Sequence, residues 1–364
     1  MSGPRVVIVG AGAQIARVHL QGLRAIQAQV VGVQDLDLDR AARVGEQLGC
    51  ESYRDLDDLL AEPADLAVVL TPHPFHAQVA IACLEAGRHV LVEKPIADEV
   101  AEADRMLETA RRSQRLLAVA FQHRTRPEVR AARELIQSGA FGQLQRADVL
   151  GTWPRRITYF SVAPWRGSWR GEGGGVLVNQ GQHDLDLLTY LAGPPRRVVG
   201  WTRTRMHHIE TEDTAVASAE WESGAVGSIH ISTCEVDEKQ RIELTGTGAR
   251  LRIMPGRLEI VRNEMDSREF AASEGDPFSA PRTLPLETVV GTPPDHVGIY
   301  HNLARAMAGQ EALVAPAEEA MATLELANAI MYSSATGAQV SLPLDRQAYA
   351  AFLAERRQTT AAGH

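Results

Sequence analysis

Lys94 stands in the run Glu93-Lys94-Pro95 directly after an apolar, β-branched stretch, and Thr71-Pro72-His73-Pro74-Phe75-His76 follows another. If the two stretches are neighbouring strands of a parallel sheet, Thr71, Pro72, His76, Glu93 and Lys94 gather at the carboxyl ends, where such sheets bind ligands. An ammonium held there can polarise a hydroxyl and ease its proton loss as a hydride leaves the same carbon. Further along, Gly173-Gly174-Gly175 leads into a segment with the pattern of a helix that carries Asn179 and His183. Residues four apart share a helix face, and imidazole exchanges protons near neutral pH. A plainer reading stands beside each: a lysine before proline can simply end a strand, and a histidine on a helix face can be a satisfied core residue.

The first apolar run ends in Gly10-Ala11-Gly12-Ala13-Gln14-Ile15-Ala16 and enters a helical pattern. Orphan amides and the dipole at a helix start favour a pyrophosphate, which puts Gly10, Gly12, Gln14 and Ile15 against a dinucleotide. The glycine pattern is imperfect, since Ile15 takes the place of a third glycine and Ala16 is the nearest small residue. Asp35 closes the second strand at the distance where an acid meets the adenosine ribose. Its carboxylate would accept from both ribose hydroxyls and repel a 2′-phosphate, and Leu36-Asp37 brings no arginine, so NAD is expected over NADP. The competing reading is a doubly wound domain that binds another ligand or none.

Between Trp153 and Trp169 the chain sets Arg155, Arg156, Tyr159, Phe160, Trp165 and Arg166, with Arg170 just beyond, although only 5% of all residues are aromatic. Aromatic faces cover the C–H faces of a sugar ring, and guanidinium forks bind hydroxyls, carboxylates or phosphates. Arg166, Tyr159 and Trp165 are therefore expected on the substrate, Arg166 foremost. Equally, this composition suits packing against a sheet or a neighbouring subunit. The histidine pairs His207-His208, His73 with His76, and His296 with His301 lack accompanying ligand chemistry, and Cys50, Cys83 and Cys234 lack metal spacing. No metal is expected.

These residues need a scaffold of two domains, which suits a chain of 364 residues. From residue 5 to about 122, β-branched runs (Arg5 to Gly10, Gln29 to Asp35, Asp65 to Thr71, His89 to Lys94, Leu116 to Phe121) alternate with helical segments such as Phe75 to Ala86 and Asp98 to Ser113. This is the signature of a parallel sheet with crossover helices. After a helix at Glu128 to Ser138 and a strand at Gln143 to Gly151, residues 196 to 262 alternate in the manner of an antiparallel sheet. Glu264 to Pro285 reads as a long loop, and helices at His296 to Ala308 and Ala317 to Gly337, a crossing at Val340 to Leu344 and a last helix close the chain. The boundaries are thus 1–122 for a nucleotide domain and 123–364 for a substrate and assembly domain. A net charge of −9 speaks against nucleic acid as a partner. No apolar run spans a bilayer and the first residues do not resemble a secretory signal, so a cytoplasmic protein is expected.

Over nearly its whole length the chain resembles the glucose-fructose oxidoreductase, inositol dehydrogenase and MocA family, whose hallmarks are the N-terminal glycine turn, Glu-Lys-Pro and a glycine-led Asp-x-x-x-His helix. The resemblance implies an α/β protein: an N-terminal Rossmann doubly wound parallel sheet, then a C-terminal α/β domain with an open, mainly antiparallel sheet. It also implies hydride transfer between NAD and a secondary alcohol of a sugar, an inositol-like polyol or a sugar derivative. By position Lys94 matches the family lysine and His183 its proton-exchanging histidine, while Asn179 stands where aspartate is usual. An amide orients a hydroxyl but carries no proton, which leaves that task to His183 or Lys94. His19 matches the histidine that follows the glycine turn, displaced by one residue. Gln122 falls where the family chain leaves its nucleotide domain, and either assists the nicotinamide or serves as a hinge. Relatives cover the open sheet by pairing subunits, so a homodimer or homotetramer through the C-terminal sheet is expected. Two further activities remain open on this scaffold: an NAD-retaining glycosidase acting by transient oxidation and elimination, and a non-catalytic NAD-bound regulator.

Overall fold

Six short strands form one parallel sheet: β1 Arg5–Val9, β2 Gln29–Gln34, β3 Glu51–Tyr53, β4 Leu66–Val69, β5 His89–Val92 and β6 Leu117–Val119, in the order β3-β2-β1-β4-β5-β6. The structure, a computed structural model, describes residues 3–163, 165–236, 240–293 and 295–359. Val6 to Val9, Leu66 to Val69 and Val90 to Val92 are buried throughout, because crossover helices cover both faces of such a sheet. The chain order reverses between β1 and β4, so the loops after these two strands open a crevice at their carboxyl ends. Strand β3 was not foreseen: three residues, Glu51, Ser52 and Tyr53, are too few to show a period, and among the described residues they pair only with β2.

The chain separates into two compact units, the first comprising residues 1–122, 170–173 and 295–324, the second residues 123–169, 174–294 and 325–364. In the first unit, helix Val297–Met307 returns to pack on helix Ala16–Ala25. Their approach is close: a Cβ on Gly22 would lie 2.0 Å from Cδ2 of Tyr300, so glycine is required by the packing.

The second unit is built on nine strands: β7 Leu144–Thr152, β8 Arg197–Arg203, β9 Thr214–Glu220, β10 Val226–Ser232, β11 Gln240–Gly246, β12 Ala249–Met254, β13 Arg257–Arg262, β14 Glu287–Val290 and β15 Val340–Ser341. Their order is β14-β13-β12-β11-β7-β10-β9-β8-β15, and every pairing is antiparallel except β7 with β10. Alternation is strict in β11 and, from Ala215 onward, in β9. Ala215, Ala217 and Ala219, with Ile242 and Leu244, are buried, while Val216 and Ser218 are exposed. Helix Gln182–Ala192 packs on β7 and β11.

Three expectations need correction. Asn179 is not on a helix: residues 176–181 form turns closed by Asn179 N–H to Gly175 O (3.1 Å) and Gly181 N–H to Val176 O (2.7 Å), and the helix starts at Gln182. The segment Glu264 to Pro285 is not a bare loop, because Asp266 caps a helix at Ser267–Ala272 and Asn263 bridges Thr283. The chain before helix His76–Glu85 tightens into a 3-10 turn at His73–Phe75, so the helix foreseen from Phe75 begins at His76. Among the described residues no helix is long and apolar enough to cross a membrane.

Candidate active site

In the first unit the glycine turn and Asp35 meet at the switch point. Gly10 has φ +78, and a Cβ there would lie 2.9 Å from the carbonyl carbon of Leu70 and from Thr71 N, so β1 can turn this tightly against β4 only with glycine. Gly12 N–H donates to Asp35 Oδ2 (2.8 Å) and Asp37 N–H to Oδ1 (2.9 Å), so the carboxylate ties the turn to the end of β2. Each oxygen keeps a further lone pair. Gln14 and Ile15 are exposed just before helix Ala16–Ala25, and among the described residues their amides make no hydrogen bond. These two amides and the helix start are what a pyrophosphate requires, so the residues present fit a dinucleotide.

At the ends of β4 and β5 both ring nitrogens of His76 lie 2.7 Å from carbonyl oxygens, those of Thr71 and Pro95. Burial pushes this imidazole toward its neutral form and outweighs the pull of the two acceptors. His76 therefore shapes the turns that present Thr71, Pro72 and Lys94: the neutral ring donates to one of these two carbonyls and packs against the other.

Glu93 is buried and internally bonded as well. Its Oε2 accepts from Lys94 N–H (3.1 Å), its Oε1 lies 2.8 Å from His19 Nε2 and 3.7 Å from His296 Nε2, and Tyr300 Oη lies 2.8 Å from His19 Nδ1. The protons can be placed. Burial holds the Tyr300 hydroxyl well above its ordinary range and lowers His19, so Tyr300 O–H donates to Nδ1 and the neutral ring donates from Nε2 to Glu93. Burial alone would raise Glu93, but the hydrogen bond from His19 and the nearby His296 ring hold it well below the carboxylate range. The backbone of Lys94 thus hangs on an anionic anchor supported by His19 and, more than 200 positions away in the chain, by His296 and Tyr300. Sequence reasoning missed His296 and Tyr300: they are four apart at the start of a helical segment, but nothing local says what they face.

In the second unit His183 is half-buried on the first turn of helix Gln182–Ala192, with its ring stacked on His123 at 4.5 Å and 7°. Gln122 opens the short 3-10 turn Gln122–Thr125 that contains His123. The turn is fixed by Arg124, fully buried with Asp186 (Nη2 to Oδ1, 2.7 Å) and lying over the Tyr190 ring at 4.4 Å. Asn179 Nδ2 donates to Tyr159 Oη (3.3 Å). The guanidinium of Arg166 lies 4.0 Å from the Tyr159 centroid and 4.9 Å from that of Trp165. Asn179, Tyr159, Trp165 and Arg166 are therefore one cluster, whereas spacing alone left the loop's role open.

Asp184, next to His183, accepts from Trp153 Nε1 and Gln240 Nε2, both at 2.6 Å, yet burial dominates and raises its carboxyl from the usual 3.8 to about 7. Two trios of ligand-type side chains also come together, His19-Glu93-His296 and His207-Asp213-Cys234. Neither was visible as a sequence spacing. Each is knit by its own hydrogen bonds, the second through His207 Nδ1 to Asp213 Oδ2 at 3.2 Å.

Models of two domains match this chain: an oxidoreductase family with an NAD-binding Rossmann fold over residues 4–121, and a GFO/IDH/MocA C-terminal domain over residues 129–252. The chain belongs to the GFO/IDH/MocA oxidoreductase family. It is 29% identical over 256 residues to myo-inositol 2-dehydrogenase of Thermotoga maritima, covering 68% of this chain and 74% of that one. It is 33% identical to D-glucoside 3-dehydrogenase of Escherichia coli over 52% of this chain, and that match spans about half (54%) of the relative. Among solved structures, the WlbA dehydrogenase of Bordetella pertussis, in complex with NADH and UDP-GlcNAcA, is 28% identical with a TM-score of 0.79 over 94% of this chain and 99% of that one. Within the GFO/IDH/MocA frame, the glycine turn, Lys94 and Asp35 lie in the matched N-terminal segment, and Asn179 and His183 in the matched C-terminal one.

Proposed function

We propose that this oxidoreductase transfers a hydride between NAD and a secondary alcohol of a sugar, polyol or sugar derivative. The observation that carries the reading is a glycine turn with two open amides at the sheet's switch point, in the same sheet as a lysine held at the end of β5. The relatives named above support the substrate class. The bound nicotinamide supplies the hydride acceptor or donor.

The remaining roles fall to side chains. Gln14 and Ile15 hold the pyrophosphate through their amides, and Gly10 and Gly12 admit it. Asp35 takes the ribose hydroxyls on its remaining lone pairs and repels a 2′-phosphate, which favours NAD over NADP. Thr71, Pro72 and Gln122 flank the cofactor, while His76 and Glu93 shape the turns that do so. Lys94 binds the reacting hydroxyl and stabilises the developing alkoxide. His183 exchanges the proton, and Asn179 orients the hydroxyl without taking a charge. Three free cysteines suit a reducing compartment, and we place the enzyme in the cytoplasm, which cell fractionation would check. We also propose a homodimer or homotetramer through the open sheet face, where Trp201 is 53% exposed; sedimentation equilibrium reads this directly.

The test is to incubate purified protein with NAD and a panel of hexoses, inositols, uronates and nucleotide sugars while following nicotinamide absorbance. Lys94→Met should abolish turnover and leave NAD affinity within a few-fold. Full activity in that variant, or no nicotinamide reduction with any member of the panel, would count against the reading.

A further inference from the structure

Residues 153 to 171 contain four arginines, Arg155, Arg156, Arg166 and Arg170, and no aspartate or glutamate, in a chain of net charge −9. Two of these guanidinium groups share one aromatic ring: Arg155 lies 5.1 Å and Arg166 4.0 Å from the Tyr159 centroid. Stacking occupies the flat faces of a guanidinium and leaves the in-plane N–H groups for acceptors. Arg155 spends part of that capacity on the carbonyls of Trp153 (3.4 Å) and Pro154 (3.0 Å), and among the described residues it makes no ion pair. Asn179 and the Tyr159 hydroxyl extend the same wall with neutral polar groups.

We propose that the sugar taken by this enzyme carries an anionic substituent, a carboxylate or a phosphate, bound by Arg155 and Arg166 over the Tyr159 ring. The proposal rests on the dehydrogenase reading and narrows its substrate class.

Three further observations support it. The root of the loop is fixed before any ligand arrives: Trp153 N–H donates to Ser232 O (2.8 Å), Arg155 N–H to Thr233 O (3.1 Å), and His207 Nε2 reaches Arg155 O (2.9 Å). A site ordered in advance loses less entropy on binding. Next, Arg155 is half-buried, and burial pulls its pKa downward. A partly desolvated cation without a counter-ion is relieved by an incoming anion and not by a neutral ring. Finally, two buried carboxylates of this region serve backbone amides. Asp213 accepts from the amides of Arg205, Met206 and His207, and Glu212 from those of Gly175 and Leu177.

Glucose and galactose, their hexuronates, their 6-phosphates and UDP-glucose would be compared in two assays, calorimetric binding to the NADH complex and NAD reduction. At least one anionic compound should bind about tenfold or more tighter than its neutral parent, a factor expected of a charge-assisted contact. Its affinity should weaken as ionic strength rises. The hexuronate arm reports a carboxylate, and the phosphate and UDP arms a phosphate. Arg155→Gln and Arg166→Gln, each checked for retained NADH binding, should each lower the ratio of anionic to neutral kcat/KM by about tenfold. Turnover of neutral sugars with anions no better overturns this proposal and leaves the dehydrogenase reading intact. Unaltered ratios in both variants overturn it too. Preferential anion binding without NAD reduction by any compound would uphold the proposal and remove the dehydrogenase reading.

Discussion

Lys94 owes its placement to a side chain that touches no solvent. Tyr300 donates to His19, His19 donates to Glu93, and Glu93 accepts the amide of Lys94. Tyr300→Phe removes the first donor and leaves a buried ring nitrogen unsatisfied, at a cost of about 1–3 kcal/mol. Chemical denaturation should show that loss. Turnover should drop while NADH binding persists, because the amides of Gln14 and Ile15 lie on the other side of the switch point from β5. Equal weakening of both would mean that the network supports the whole unit and not Lys94 in particular. Asp35 has a different task, since it ties down the glycine turn and is also the proposed ribose contact. Asp35→Ser should reduce the preference for NAD over NADP in kcat/KM by about tenfold or more, the scale of one charged contact. A ratio that does not move would contradict the ribose assignment.

At the scale of elements, the contact between helix Ala16–Ala25 and helix Val297–Met307 sets the position of Tyr300. Gly22→Ala tests that contact through the sign of its effect. In an ordinary helix interior the change stabilises by about 0.5–1 kcal/mol. Here the added methyl would meet the Tyr300 ring at 2.0 Å, and overpacking costs about 1–3 kcal/mol or more. Steric conflict is the larger effect, so the thermal midpoint should fall; a rise would show that the helices separate easily. The turn before helix Gln182–Ala192 teaches a related lesson. Asn179 and His183 have helical spacing, but Gly173 to Gly175 and the turns at 176–181 delay the helix to Gln182. Asn179 accordingly meets Tyr159 from a turn.

For the whole molecule, Asp184 makes stability depend on pH in an unusual direction. Its folded carboxyl holds a proton up to about pH 7, whereas the unfolded one releases it near 3.8. Between those values the folded chain binds more protons, so this group's contribution to stability is present below about pH 4 and lost as pH rises to about 7. Asp184→Asn should lack that slope when unfolding free energies are measured from about pH 4 to about pH 8. Parallel curves for the two proteins would show that Asp184 is ionised throughout. The same carboxyl joins Trp153, at the root of the arginine loop, to Gln240 on β11, so a change there is also felt by the loop.

Periodicity and turn chemistry are local properties, and they carried the sequence a long way: the parallel sheet, the antiparallel sheet later in the chain, the glycine turn with Asp35, and the positions of Lys94 and His183 in their elements. What stayed hidden involves partners remote in the chain or elements too short to have a period. His19, Glu93, His296 and Tyr300 form one network only because a helix from residue 297 onward packs against the first, and β3 has three residues. Burial decided the rest. No residue type announces that Asp184 sits where its charge is expelled, or that Arg155 and Arg166 lie against one tyrosine, since desolvation and contact exist only once the chain has folded around them.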